Sequence, residues 1–426
     1  MRFILKNSEV VPWLGAGASC ILITMGLLHP AFSYIALLLC VFFIACCQEQ
    51  DTLCILFMVL PFANIFKAGP GSQSFFTYII LFYILWHFIQ RIKVPITIIE
   101  IIILSIYLLS VQLAFDSLKL LRYIKFVINF MFMYYAFEHY EERNTEKFFL
   151  FYIIGMLLTS IIKISGVFPN IVQFVAEKDM GFSTGRSLRF SGLYGDPNYY
   201  SVNLIISMCL VVILFHKGKI GVIATITLLA GFVWFAAMTG SKSALFMLAL
   251  PAILLIYSNF KSKRYFLVSL FFLVAVSVVI LIIDGKISIF NNTLERITKV
   301  AGVDDLTTGR SEIWREYAGF FSTNLNVLLL GAGIGAQLVG GHAAHNTYID
   351  MLYYLGILGS AFSLIILAKI RNMLLETKQK NLLNYCVIIT IMTMYVFLSQ
   401  LFYFDLAFQI MLALIVLRMD MSKKEV

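Results

Sequence analysis

Two histidines, His342 and His345, stand in the stretch GGHAAHNTYIDMLYYLGILGS (Gly340–Ser360), directly ahead of an apolar run. Thr347 with Asp350 three residues on matches the S/T-x-x-D/E helix-start pattern, so a helix is expected to begin near Thr347, with His345 just outside its N-terminus. The positive end of a helix disfavours imidazolium, as would nearby Arg and Lys. A histidine kept neutral there can take a proton, which is the task of a general base. Cations stand in further short motifs: Arg189 in RFSGLYGDPNYY, Lys242 in TGSKS and Arg310 in TTGRSEIWREYAGFF. Cations fixed at a lipid headgroup plane beside a neutral imidazole suit the displacement of a polyprenyl diphosphate from a sugar. The leaving group gains negative charge as the C1–O bond breaks, so fixed positive groups stabilise the transition state more than the ground state. No metal is required, because His342 and His345 have no convergent carboxylate in the pattern.

Each residue also has a plainer reading. Arg189, and more so Arg186, could be an ordinary solvated charge. Asp196 followed by Pro197 reads as an N-cap and first-turn proline. Lys242 alone could be a snorkelling lysine at a helix end. After Gly309 and Arg310, the residues Ile313, Tyr317, Phe320 and Phe321 fall at i, i+4, i+7 and i+8, an amphipathic face. That segment is expected to lie in the membrane surface with Trp314 as an interfacial anchor. Arg315 reads as a solvated face.

The elements that must position these residues are membrane helices. The chain of 426 residues is 61% hydrophobic and 13% charged, with a mean hydropathy of +0.90. A soluble core of this size needs more polar surface. The expected fold class is an all-α integral membrane protein with about fourteen transmembrane helices, at roughly 20 residues per crossing. They begin near Val11, Ala31, Leu53, Phe75, Pro95, Leu118, Phe148, Tyr199, Ile220, Ser243, Tyr265, Thr347, Asn384 and Phe404. The first is read as an uncleaved helix. The expected organisation is a single polytopic domain over 1–426. Within it, 284–346 forms a long external loop that carries short amphipathic helices and caps the site. A second external loop runs from Gly166 to Pro197.

Lys and Arg fix the orientation. With the N-terminus in the cytoplasm, the inner loops hold Arg91, Lys93, Arg143, Lys147, Lys217 and Lys219. They also hold Lys261, Lys263, Arg264, Lys369, Arg371, Lys378 and Lys380, and the tail adds Arg418, Lys423 and Lys424. The C-terminus is then cytoplasmic as well, and the four motifs lie outside. The formal charge of +9 reads as membrane orientation, not as nucleic-acid binding. The seven cysteines fall in or beside spans, which argues against a disulfide framework or a zinc site.

In order, these motifs are Arg-x-Ser-Gly…Asp-Pro-Asn, Thr-Gly-Ser-Lys, Thr-Gly-Arg, and Gly-x-Gly-x-Gly…His-Asn-x-Tyr. Over roughly Arg189 to Ser360 the set resembles the O-antigen ligase and O-antigen polymerase family. The resemblance implies a metal-independent membrane glycosyltransferase that needs no cofactor and uses undecaprenyl-diphosphate-linked glycans. Polymerases join lipid-linked repeats, whereas ligases pass a glycan to another acceptor. Carried over by motif, Arg189 and Arg310 would contact the diphosphate and His345 would be the base. Where the family usually has arginine this chain has Lys242, which cannot make the bidentate fork and is left as a point charge. The expected setting is the outer face of a bacterial cytoplasmic membrane. The expected partners are donor and acceptor undecaprenyl-diphosphate oligosaccharides, membrane lipid, a chain-length regulator and a flippase.

Some signals remain. Lys119, Arg122 and Lys125 follow at i, i+3 and i+6 in the sixth span, with Arg122 and Lys125 expected one and two turns deep. Charge at that depth marks function by default, and the row is read as a headgroup or sugar path, together with Asn346 and Tyr348. The other reading is a shifted or oblique span. Lys163 carries the same ambiguity. Gly331-x-Gly333-x-Gly335 lacks the strand–helix unit of a dinucleotide loop and reads as a turn that lets backbone come close. Gly356 and Gly359 permit close helix contact. Asp304 and Asp305 read as solvated loop acids. A lipid-linked glycan transporter is a less favoured alternative, because inverted repeats and Gly/Pro-broken helices are not evident. A bare membrane scaffold leaves the cation–histidine set unexplained.

Overall fold

In a computed structural model of the protein the described residues are 10–90, 95–114, 119–138, 140, 145–175, 190–262, 310–373, 381–399, 401, 403–419 and 421. The expected eleventh span, Arg186, Arg189, Asp304 and Asp305 lie outside them. Among the described residues the regular structure is helical throughout. The helices are α1 (Val10–Met25), α2 (Pro30–Cys46), α3 (Glu49–Val59), α4 (Phe75–Ile89), α5 (Ile96–Ala114), α6 (Leu120–Glu138), α7 (Thr145–Ser165) and α8 (Ile171–Val175). Then come α9 (Pro197–His216), α10 (Val222–Met238), α11 (Lys242–Met247), α12 (Ala249–Ser262), α13 (Arg310–Thr323), α14 (Leu325–Leu330), α15 (Thr347–Asn372), α16 (Leu382–Tyr395) and α17 (Phe404–Arg418).

Five of these, α5, α6, α7, α9 and α15, are long and apolar enough to cross a membrane, and six further apolar helices are shorter. This is the architecture of a helical membrane-embedded protein; a total of fourteen crossings goes beyond it. At the centre stands α9, 94% of whose apolar window is buried by the other helices. Its polar side chains are satisfied inside the bundle: Tyr152 of α7 donates to Asn203 Oδ1 at 2.6 Å and Gln409 of α17 donates to the same oxygen at 2.8 Å. Away from water each such group needs a partner. α9 starts where Asp196 and Pro197 place it, with Asp196 Oδ1 accepting from the Asn198 amide at 2.7 Å.

Hydrogen bonds distant in sequence sort the loops into two ends. At one end Phe190 N meets Met238 O (3.2 Å), Thr347 Oγ1 meets Leu398 O (2.5 Å), and Tyr199 Oη meets Ser399 O (2.7 Å). At the other, His87 Nδ1 lies 3.3 Å from Glu49 Oε1, His216 meets Met421 O at 3.1 Å, and Lys369 pairs with Glu100.

The start of α15 differs from the expected capping box. Asn346 is the N-cap, its Oδ1 accepting from the amides of Tyr348 (2.9 Å) and Ile349 (3.1 Å). A carboxamide one residue earlier reaches both amides, which leaves Thr347 to bond Leu398 and Asp350 to turn inward, 5% exposed. Deeper in, α15 is broken. Gly356 has φ 68° and ψ 179°, outside helical space. The carbonyls freed by the break are met by another segment: Ala332 N donates to Tyr353 O at 2.7 Å and Gly333 N to Tyr354 O at 3.2 Å. The expectation of unbroken spans is therefore corrected. The Gly331–Gly333 turn does come close, and what it approaches is the gap in α15. A Cβ at Gly331 would stand 2.6 Å from Tyr354 O, and one at Gly356 would stand 2.4 Å from Gly331 N. Gly359 keeps the close-contact role, its Cβ position 3.2 Å from Tyr107 Cε1 of α5.

Candidate functional site

His345 stands exposed at the first of these two ends, between the Gly340–Gly341 turn and the cap of α15. Its φ of 49° makes it the non-glycine residue with left-handed backbone among the described residues. Histidine, like Asn and Asp, is among the side chains that enter this region more readily than most, and the conformation persists where surrounding structure imposes it. Here the imposition is visible. The Asn346 side chain fixes the residue after His345, and the Trp314 indole N–H donates to the carbonyl of Ala344, the residue before it, at 2.9 Å. Tyr317, one turn after Trp314 on α13, donates from its hydroxyl to His342 O at 3.0 Å.

Those bonds also place Arg310. It opens α13, one turn before Trp314, so the helix that braces the histidine loop carries the arginine at its leading end. The amphipathic face of α13 packs inward as its spacing indicates: Tyr317 and Phe320 lie against Tyr353 with ring centroids 5.4 and 5.8 Å apart. Trp314 is half-buried and turned toward the protein. Its ring lies 6.3 Å from that of Phe397 and its N–H is consumed by Ala344.

Lys242 opens α11, half-buried, after an N-cap made by Ser241, whose hydroxyl accepts from the Ala244 amide at 3.4 Å. The bond from Phe190 N to Met238 O ties this turn to the segment that follows Arg189. Asn346 and Tyr348 hold structural bonds: Asn346 caps α15, and Tyr348 Oη donates to Met392 O of α16 at 2.9 Å.

The row on α6 has a definite place. The helix begins at Leu120, so Lys119 and Arg122 are at the rim, both exposed, and Lys125 is in the second turn, half-buried. Arg122 therefore stands in the first turn of α6. It acts electrostatically on Asp350 and is a hydrogen-bonding neighbour of the Tyr354 hydroxyl, both on the N-terminal half of α15. His345 is braced by the helix that Arg310 opens, while Arg122 lies by Asp350 and Tyr354 on the leading half of α15. Sequence reasoning missed three features. Asp350 was spent on a cap. Lys67, in the turn before α4, is electrostatically coupled to Lys125, and burial first, then that second ammonium, lower its pKa from the usual lysine value. The turn after α16 (Phe397–Tyr403) is the meeting point of α6, α9, α13 and α15, with Asn129 Nδ2 also donating to Tyr403 O at 3.2 Å. Its signal in the sequence is slight, an SQLFYF break between two apolar runs.

No family model matches the chain, and no curated protein or solved structure matches it either. The class defined here is that of a helical membrane protein with an exposed histidine, braced by an arginine-led helix, at one end of the bundle.

Proposed function

We propose that the protein is a polysaccharide polymerase of the outer leaflet. It moves a glycan from undecaprenyl diphosphate to a sugar hydroxyl at the non-reducing end of a second lipid-linked repeat. The observation that carries this reading is the exposed His345, its left-handed backbone braced on both chain sides, at the end of the bundle where Arg310 opens the bracing helix. His345 takes the proton of the acceptor hydroxyl as its oxygen bonds to the donor C1. The bond from C1 to the diphosphate oxygen breaks, and its electron pair leaves with undecaprenyl diphosphate. Arg310 and Arg189 bind that diphosphate, with Lys242 as a point charge, and the proton passes from His345 to water or the departing phosphate. A positioned base of this kind contributes about 10²–10⁴-fold.

This reading puts the His345 end outside and the basic helix ends, with Lys147, Lys217, Lys369 and Arg418, in the cytoplasm. A ligase would use the same donor chemistry with another acceptor. A transporter gains one point, since a broken helix such as α15 is what substrate sites in transporters are built from. In this chain, however, the Ala332 and Gly333 amides already occupy the carbonyls at the break.

The test is chain growth by purified protein supplied only with lipid-linked repeats. Wild type should lengthen them. His345→Ala should stop growth while the protein still inserts, with a rate loss of at least ~10²-fold. Long-chain product from His345→Ala removes the base assignment, and failure of wild type to extend without another acceptor favours the ligase.

A further inference from the structure

The leading end of α6 gathers like charges from separate parts of the chain. Lys67 donates from Nζ to Phe174 O of α8 at 3.1 Å. Lys125 Nζ stands 6.0 Å from the centre of the Phe404 ring, and Phe404 packs on Phe76 of α4 with ring centroids 5.9 Å apart. The turn that carries Lys67 and the first turns of α4, α6 and α17 therefore meet at one place. Lys125 acts on Lys67 and Arg122 acts on Lys125. Asp350 faces the row on the side of Arg122, and Asp405 follows Phe404 in the first turn of α17. Ammonium and guanidinium groups held together raise one another's free energy, and an anion between them lowers it. Next to the row, Leu120 and Leu121 are 54% and 55% exposed, apolar surface along which a prenyl chain can lie.

We propose that Lys67, Lys125 and Arg122 form a second anion site, which holds the diphosphate of the acceptor lipid. This rests on the polymerase reading. When two lipid-linked glycans are joined, one diphosphate departs and the other stays attached to its sugar, so the enzyme needs a place for each. No bond is made or broken at the second diphosphate. Its site positions the acceptor, whose glycan then reaches His345 past Arg122 and Asp350.

The test counts lipids bound to the full chain in phosphatidylcholine nanodiscs by native mass spectrometry, using glycan-free undecaprenyl diphosphate so that no transfer occurs. Wild type should hold two per chain. The pair Lys67→Gln, Lys125→Gln should hold one, with the second affinity weakened roughly tenfold to a hundredfold. The charge-keeping pair Lys67→Arg, Lys125→Arg should hold two, which separates loss of charge from loss of fold. One lipid in wild type, or two at undiminished affinity in the glutamine pair, overturns the site. So does equal displacement by phosphatidylglycerol, which marks a general anionic-lipid surface, or equal binding of inorganic pyrophosphate, which removes the prenyl chain from recognition. Chain growth measured in parallel keeps the two readings apart. Two bound lipids with no growth leave the site standing and count against the polymerase. Growth with unchanged counts in the glutamine pair does the reverse.

Discussion

At the scale of single residues, the chemistry proposed depends on a histidine whose left-handed backbone is held by bonds on either side of it. Arg310 then sets the difference between charge and fork. Arg310→Lys keeps the charge but loses bidentate contact with phosphate, whereas Arg310→Gln loses both. Donor-lipid affinity measured in nanodiscs should fall modestly in the first and roughly tenfold or more in the second. Equal affinity in both variants removes Arg310 from the donor site. His345, Lys242 and Arg310 stand out in the sequence as candidates because residue type and local motif mark them. Asp350 was misread because T-x-x-D and N-x-x-x-D compete for the same helix start, and only geometry shows that Asn346 reaches the amides. Lys67 was illegible for a different reason: its ammonium neighbour, Lys125, belongs to a helix two spans further along the chain, and no spacing rule links them.

At the scale of elements, the break in α15 is the feature with most consequence. Gly356 has a left-handed φ, and a Cβ there would collide with the backbone of Gly331. Gly356→Ala should therefore destabilise the protein by at least about 1–3 kcal/mol, read as a lower melting temperature in detergent. Gly359→Ala has a milder contact to relieve, against the Tyr107 ring and Leu355 Cβ, and should cost less. Equal melting of the two variants would show that the break is not held by backbone packing. The apolar runs made most helices readable to within a few residues: α4 begins at Phe75 and α17 at Phe404, as their sequences indicate. The break was not, because Gly-x-x-Gly reads the same whether glycine admits a neighbouring helix or another backbone.

At the scale of the whole molecule, sidedness is the claim to check. The native cysteines are buried or half-buried, so a new exposed thiol is distinguishable. In intact cells a membrane-impermeant maleimide should label Gln337→Cys, in the histidine loop, and should reach Gly218→Cys, beyond α9, only after permeabilisation. The opposite pattern inverts the orientation and with it the outer-leaflet chemistry. Composition alone was enough for the membrane class, because a hydrophobic share of 61% leaves few other solutions. The pairing of loops at each end was not, since it is written in side chains that meet across the full length of the chain. The amides of Ala332 and Gly333 complete the interrupted helix α15, so the stretch outside the span and the span itself are a single cooperative unit. A chimera that trades only 310–346 with a related chain should lose its fold along with its specificity, whereas one that trades 310–359 carries both halves of the joint and can be inherited as a module.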